Sequence, residues 1–496
     1  MSADSSSPQR PAYAAQGAEA APPAVTATGI EGLDFVLGGG LPAERPTLLR
    51  GGPGTGKTVL ALTFFCQGLA GGEPGVLVTF DEPPEALIQH AEALGFPLRE
   101  YLAEGRGRLL DMRPNRADIV AGAEIELTAV LARIGHALEQ VGGRRLVLDA
   151  VDGLDESFSA EASLRRELGR VFDWIRERET TTVLTAGEHA DFSARYGLED
   201  YIADCVILLR QEVRHRTMTR LLRVLKRRGG SHGTNEFPFL LDTDGVFLAP
   251  VTGTRLQTRS SEARHATGIA GLDAMLGGGG PYRGSAVMVS GQSGTGKTSF
   301  AAAFADAVCR DGGTVLYLSF EEAAEELVRN QRSVGLELQR HLAGEGGTGR
   351  LILEPLLAVE LGWEEHLLRI MRAVRRLAPS VVILDPASAL GDRHEDRQGK
   401  EMLLRLLYML KSEGVTALAT ELLPDYADGV STMDISSLID VWIKLRREER
   451  DGRLSRRLEV VKARGLPTAD RIQEFFLTGE GIAVGERGAV TGEGAA

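Results

Sequence analysis

Two adjacent carboxylates follow an apolar stretch in each of two similar parts of this chain: Asp81-Glu82 after GVLVTF and Glu321-Glu322 after TVLYLSF. A carboxylate at a strand end can orient or deprotonate an attacking water, and a like-charged neighbour raises one pKa of the pair. Acids at a helix start are also an ordinary solvated feature, favoured by the helix dipole. Their company separates the two readings. Each pair lies downstream of a Gly-x-x-x-x-Gly-Lys-Thr loop, GGPGTGKT at 51–58 and GQSGTGKT at 291–298. The two loop lysines are 240 positions apart (297 − 57).

Such a loop between strand and helix cradles a nucleoside triphosphate. Gly51, Gly54, Thr55 and Gly56, and Gly291, Gly294, Thr295 and Gly296, let backbone N–H groups close around phosphate oxygens. Lys57 and Lys297 are expected to reach the β- and γ-phosphates, with the Thr58 and Thr298 hydroxyls on Mg²⁺. The apolar runs RRLVLDA and SVVILDP end in Asp149 and Asp385, the expected second acidic contact to the metal, usually through water. An Asp after a strand can equally cap a helix, but both repeat in phase with the loops.

Late in each half a basic segment recurs, LLRVLKRRGG and RLEVVKARG. Lys226 and Arg228, and Lys462 and Arg464, have one residue between them, so each pair is expected on one strand face. In a ring of subunits that face can meet a neighbour's γ-phosphate; otherwise it is a solvated strand face.

The elements that must hold these groups repeat as well. TGIEGLDFVLGGGLP begins at 28 and TGIAGLDAMLGGGGP at 267. Apolar strands alternate with amphipathic helices in both halves, which predicts an α/β fold of two tandem P-loop NTPase domains with mainly parallel, doubly wound sheets. Ligands of such sheets sit beyond the carboxyl ends of the strands, where the acidic pairs and strand-end aspartates fall. The expected layout is a disordered leader at 1–25, domains at 26–250 and 265–480, a polar linker at 251–264 and a disordered tail at 481–496.

The charge balance, 69 acidic against 56 basic residues and a net −13, opposes broad nucleic-acid binding. No apolar run reaches membrane-spanning length, and the leader lacks the core of a secretory signal. Cys66, Cys205 and Cys309 form no metal-ligand spacing and read as small buried residues. A cytoplasmic protein is expected.

These motifs resemble the KaiC family of bacterial clock ATPases. The likeness runs over roughly 26–480 and rests on both TGI-x-GLD openings, both loops, VTFDEPP, ARYGLEDYIADCVILLR, LKRRGGSHGTNEFPF, RLQTRSS and SFEEAAEELVRN. It implies RecA-like domains in a two-tier homo-hexamer, with ATP and Mg²⁺ bound between subunits. It also implies that Lys226, Arg228, Ser231, His232, Lys462 and Arg464 contact the nucleotide in trans. The first half would be a slow ATPase. The second would phosphorylate and dephosphorylate itself on a hydroxyl pair aligned with Ser436 and Ser437, where the family has Ser then Thr. Glu321 would activate the acceptor hydroxyl with Glu322 as its partner. From local sequence alone Ser436-Ser437 reads as a polar turn or cap. A KaiB-type protein partner on the first half is an expectation of the same kind. The short segment after Phe476 leaves a KaiA-type partner in doubt, and GLPTAD replaces the Ser-His of the first half after Arg464. Two other readings compete: a DNA-dependent recombination ATPase, which would need a basic aromatic loop or zinc module, and an ATP-gated scaffold with negligible turnover.

Overall fold

The computed structural model describes residues 24–113, 127–152, 161–187, 203–214, 217–242, 245–249, 261–344, 347–356, 362–390, 397–424, 437–450, 453–468 and 471–485. Most of the leader, most of the linker, most of the tail and Ser436 lie outside these residues. The chain divides into two compact units, Met1–Leu208 with Val224–Thr234, and Leu209–Arg223 with Asn235–Ala496.

In the first half β1 (Pro46–Gly51) runs into the phosphate loop and α1 (Lys57–Ala70) leaves it. There follow β2 (Gly75–Thr79), α2 (Pro84–Ala93), β3 (Gly107–Asp111), α3 (Leu127–Val141), β4 (Arg145–Asp149), α4 (Glu161–Arg176) and β5 (Thr181–Gly187). Four further strands extend the sheet beyond β1: β6 (Cys205–Arg214), β7 (Thr217–Arg227), β8 (Glu236–Asp242) and β9 (Gly245–Leu248). Strand order is β3-β2-β4-β5-β1-β6-β7-β8-β9, and the first five pair in parallel.

The second half repeats this element for element. Its strands are β10 (Ala286–Gly291), β11 (Val315–Ser319), β12 (Leu351–Pro355), β13 (Val381–Asp385), β14 (Thr416–Leu422), β15 (Val441–Arg450), β16 (Arg453–Ala463), β17 (Gln473–Thr478) and β18 (Gly481–Val484). Its main helices are α5 (Lys297–Arg310), α6 (Ala324–Arg332), α7 (Trp363–Leu377) and α8 (Arg397–Ser412). The order β12-β11-β13-β14-β10-β15-β16-β17-β18 is the first sheet's order again. Both sheets are mixed and mainly parallel, as the alternating pattern predicts.

Burial on both faces explains the continuous apolar strands. Val287 and Val289 face Phe300 and Phe304 of α5, while Met288 packs with Met371 of α7 and Leu407 of α8. In the first half Leu48, Val76 and Val78 pack with Ile134 of α3 and Phe172 of α4. The phosphate loops are thus fixed between a rigid strand and a helix. Cys66, Cys205 and Cys309 are buried and free, and burial pushes each thiol up to about 12. Among the described residues no helix is long and apolar enough to cross a membrane.

The fold continues past 480. Gly481, at a φ of 118°, turns the chain into β18, which pairs back on β17. Ile482 and Val484 pack on the core, so these four residues depart from the disordered tail expected there.

His265 gives the second unit a pH dependence. Its ring meets Phe304 edge-on, centroids 6.0 Å apart, and its Nε2 has no hydrogen-bond partner among the described residues. Burial, then the nearby Arg283, push its pKa down from 6.5 to about 4. The unfolded chain therefore takes up a proton that the folded one refuses. This stability is complete above about pH 6.5 and is lost as pH falls toward 4. Between about pH 7.5 and about pH 5 the parent should lose about 2 kcal/mol more than a His265→Phe variant in urea denaturation. An equal loss in both chains would show that this ring plays no part.

Candidate functional site

The two phosphate loops are closed the same way. Gly54 and Gly56 adopt φ of 72° and 99°, and Gly294 and Gly296 φ of 70° and 105°. These are left-handed conformations that a side chain would strain. Thr55 Oγ1 donates to the Gly52 carbonyl at 2.8 Å, and Thr295 Oγ1 to the Gln292 carbonyl at 2.8 Å. Gly56 and Gly296 are the N-caps of α1 and α5 and offer no side-chain cap. The first N–H groups of both helices are left for an anion, reinforced by the helix dipole.

Lys57 Nζ donates to the carbonyls of Gly51 (2.7 Å) and Gly52 (3.0 Å), and Lys297 Nζ to that of Gln292 (2.9 Å). Burial lowers the pKa of both amines. Each is held over the loop that the phosphates would enter.

Thr58 and Asp149 come together, the hydroxyl donating to both carboxylate oxygens at 3.3 Å. Thr185 Oγ1, on the adjacent parallel strand, donates to Asp149 at 2.7 Å. Burial drives the Asp149 carboxyl up to about 6, and the charge of Glu82 adds to the rise. Asp385 accepts from the Tyr317 hydroxyl at 2.5 Å and from the Thr420 hydroxyl. Among the described residues no group of three or more His, Cys, Asp or Glu could hold a metal. A threonine hydroxyl with one carboxylate nonetheless suits Mg²⁺, which keeps waters and takes its other oxygens from phosphates.

Asp81 and Glu321 are exposed; Glu82 and Glu322 are half-buried. Strand-end hydroxyls fix the backbone of the second acid in each pair: Thr79 Oγ1 donates to the Glu82 carbonyl at 2.7 Å, Ser319 Oγ to that of Glu322 at 2.6 Å. The Glu321 carboxyl is raised, first by burial and then by Asp385; its neighbour Glu322 contributes less. Crowding within the pair is thus the lesser cause of a shift that sequence reasoning ascribed to it.

The basic residues follow a different rule from simple alternation. Strands β7 and β16 stop at Arg227 and Ala463, so Arg228 and Arg464 lie just beyond them. Each is held by an acid, Arg228 by Asp204 and Arg464 by Asp440, both at 3.7 Å. Lys226 and Lys462 are half-buried, and the ladder slips at Val461, one residue before Lys462. Ser231 is exposed and His232 half-buried. Ser437 is exposed in a turn, and its carbonyl accepts from Arg464 at 2.8 Å.

Sequence reasoning missed the groups that hold these residues: Thr185, Thr420, Tyr317, Asp204 and Asp440. The two threonines had a signal, since TTVLTAG and VTALATE repeat them in phase. Tyr317 had none, because the first half has Leu77 there.

Comparison with known proteins agrees with this geometry. The family described as ATPase: KaiC matches residues 26–252 and 265–489. The chain is 37% identical over 472 residues to the circadian clock protein KaiC2 of Synechocystis sp., covering 94% of this chain and 82% of that protein. It is 33% identical over 466 residues to KaiC3 of the same organism, covering 92% and 91%. It is 31% identical over 463 residues to the circadian clock oscillator protein KaiC of Synechococcus elongatus, covering 92% and 88%. With a matching phosphate cradle and acidic pair in each half, the chain belongs to the KaiC family and carries two KaiC ATPase domains.

Proposed function

We propose that this protein is a homo-hexameric ATPase whose second half is also a serine autokinase and autophosphatase, acting in signalling or circadian-type timing in the cytoplasm. The observation that carries the reading is the in-phase repetition of one site. Both halves place a phosphate loop with its lysine, a strand-end aspartate and an acidic pair at corresponding positions, with the same pattern of exposure residue by residue from 51 to 58 and from 291 to 298.

The loop N–H groups and Lys57 or Lys297 would bind the phosphate chain of ATP. Thr58 with Asp149, and Thr298 with Asp385, would hold Mg²⁺, which neutralises charge on the β- and γ-phosphates. Glu82 and Glu322 orient the water that attacks the γ-phosphorus and accept its proton; the bond to the β-phosphate oxygen breaks, giving ADP and phosphate. In the second half Glu321 accepts the proton of Ser436 or Ser437 when that hydroxyl is the nucleophile. Lys226, Arg228, Ser231 and His232, and Lys462 and Arg464, serve the neighbour's nucleotide. The timing role rests on the relatives' names as circadian clock proteins, and a KaiB-type partner on the first half belongs to the same proposal.

Mass measurement of the purified chain tests the assembly. Saturating Mg-ATP is expected to convert smaller species into a hexamer. A chain that stays monomeric, or binds nucleotide in one half alone, would refute shared sites.

A further inference from the structure

The second acid of each pair is tied down twice. Its backbone is held by the strand-end hydroxyl of Thr79 or Ser319. Its side chain is met by a residue eight positions on, from the facing turn of the next helix. His90 Nδ1, on α2, lies 3.3 Å from Glu82 Oε2. Asn330 Nδ2, on α6, donates to Glu322 Oε2 at 3.1 Å. The same carboxylate oxygen is engaged in both halves, from the same helical position, by two chemically different side chains.

A glutamate has three rotatable bonds and a free carboxylate samples many orientations. Anchoring Oε2 leaves Oε1 presented in one direction, which is what orienting a water requires. We propose that His90 and Asn330 are positioning residues for ATP hydrolysis, each fixing the carboxylate that orients the attacking water. This rests on the reading of Glu82 and Glu322 given above. The two tethers are not equal. The Asn330 amide always carries a donor hydrogen on Nδ2. The His90 ring presents one on Nδ1 in a single neutral tautomer or as the imidazolium.

The experiment uses the full-length chain. Lys297→Ala silences the second site, so that phosphate release from ATP reports the first. In that background His90→Ala is expected to lower kcat about tenfold, with KM for ATP and thermal midpoint unchanged, because the exposed ring adds little to stability. His90→Asn, which imports the other half's tether, is expected to restore kcat. Asn330→Ala should behave as His90→Ala does in a Lys57→Ala background. If His90→Ala turns over like its parent while Glu82→Gln is inactive, the tether is idle and the proposal falls, though the reading of Glu82 stands. If Glu82→Gln itself keeps the parent rate, that reading falls and the proposal with it. A raised KM or lowered midpoint in both His90 variants would mark a structural role and overturn positioning.

Discussion

Replacing Glu82 by Gln should cut ATP turnover at the first site by about 10²–10³-fold while leaving nucleotide affinity within about threefold. The substitution is nearly isosteric, so Thr79 still holds the backbone through the carbonyl of residue 82. What disappears is the negative charge and the proton-accepting oxygen. Asp149, the proposed metal ligand, is spared by the same change. Glu82 is one of the charges that push Asp149 up to about 6, so removing it favours the ionised form of Asp149. Loss of turnover therefore cannot be assigned to a weakened cation site. Glu322→Gln should do the same in the second half. Phosphate release measured with one site at a time intact separates the two. An unchanged rate in both variants would favour an ATP-gated scaffold over an ATPase cycle at these residues.

What could be read from the sequence was local or periodic. The phosphate loops depend on glycine conformations and one helix start, all within eight residues. The duplication shows because each element returns in phase, and mainly parallel sheets follow from apolar strands alternating with helices. The strand-end aspartates could be read for the same reason, since SVVILDP and RRLVLDA carry both burial and charge. The rest depends on register between distant segments. Asp204 and Asp440 each immediately precede the strand beside β1 or β10; each lies 24 residues before its arginine (228 − 204, 464 − 440), a spacing that repeats in phase, but the contact forms only through the pairing of that strand with the next. Strand β16 ends at Ala463, so Arg464 lies in the turn that follows, where strand alternation no longer applies. Tyr317 reaches Asp385 across neighbouring parallel strands, a pairing fixed by the sheet as a whole.

Incubation with γ-labelled ATP should place phosphate on Ser436 or Ser437, and the double Ala variant should lose all of it. The backbone behind Ser437 is fixed. Leu438 and Ile439 are buried, and Asp440 is bound by Lys411 at 2.6 Å and by the Ala286 N–H at 2.9 Å. Arg464 links this anchor to the turn through its contacts with Asp440 and the Ser437 carbonyl. The Ser437 side chain is thus an exposed hydroxyl on a fixed backbone, which limits the entropy lost in bringing it to a γ-phosphate. A phosphate there would add a charge of about −1.5 to −2 beside Arg464 and could pair with it. Arg464 is also the residue assigned to a neighbour's nucleotide, so modification of Ser437 would compete for the same guanidinium. Glu321→Gln should abolish the label as fully as the double Ala variant, because the acceptor loses its base. First-site turnover should stay within about twofold in both. An intact hexamer that hydrolyses ATP but carries no label at either serine would remove the kinase from this assignment and leave the ATPase standing.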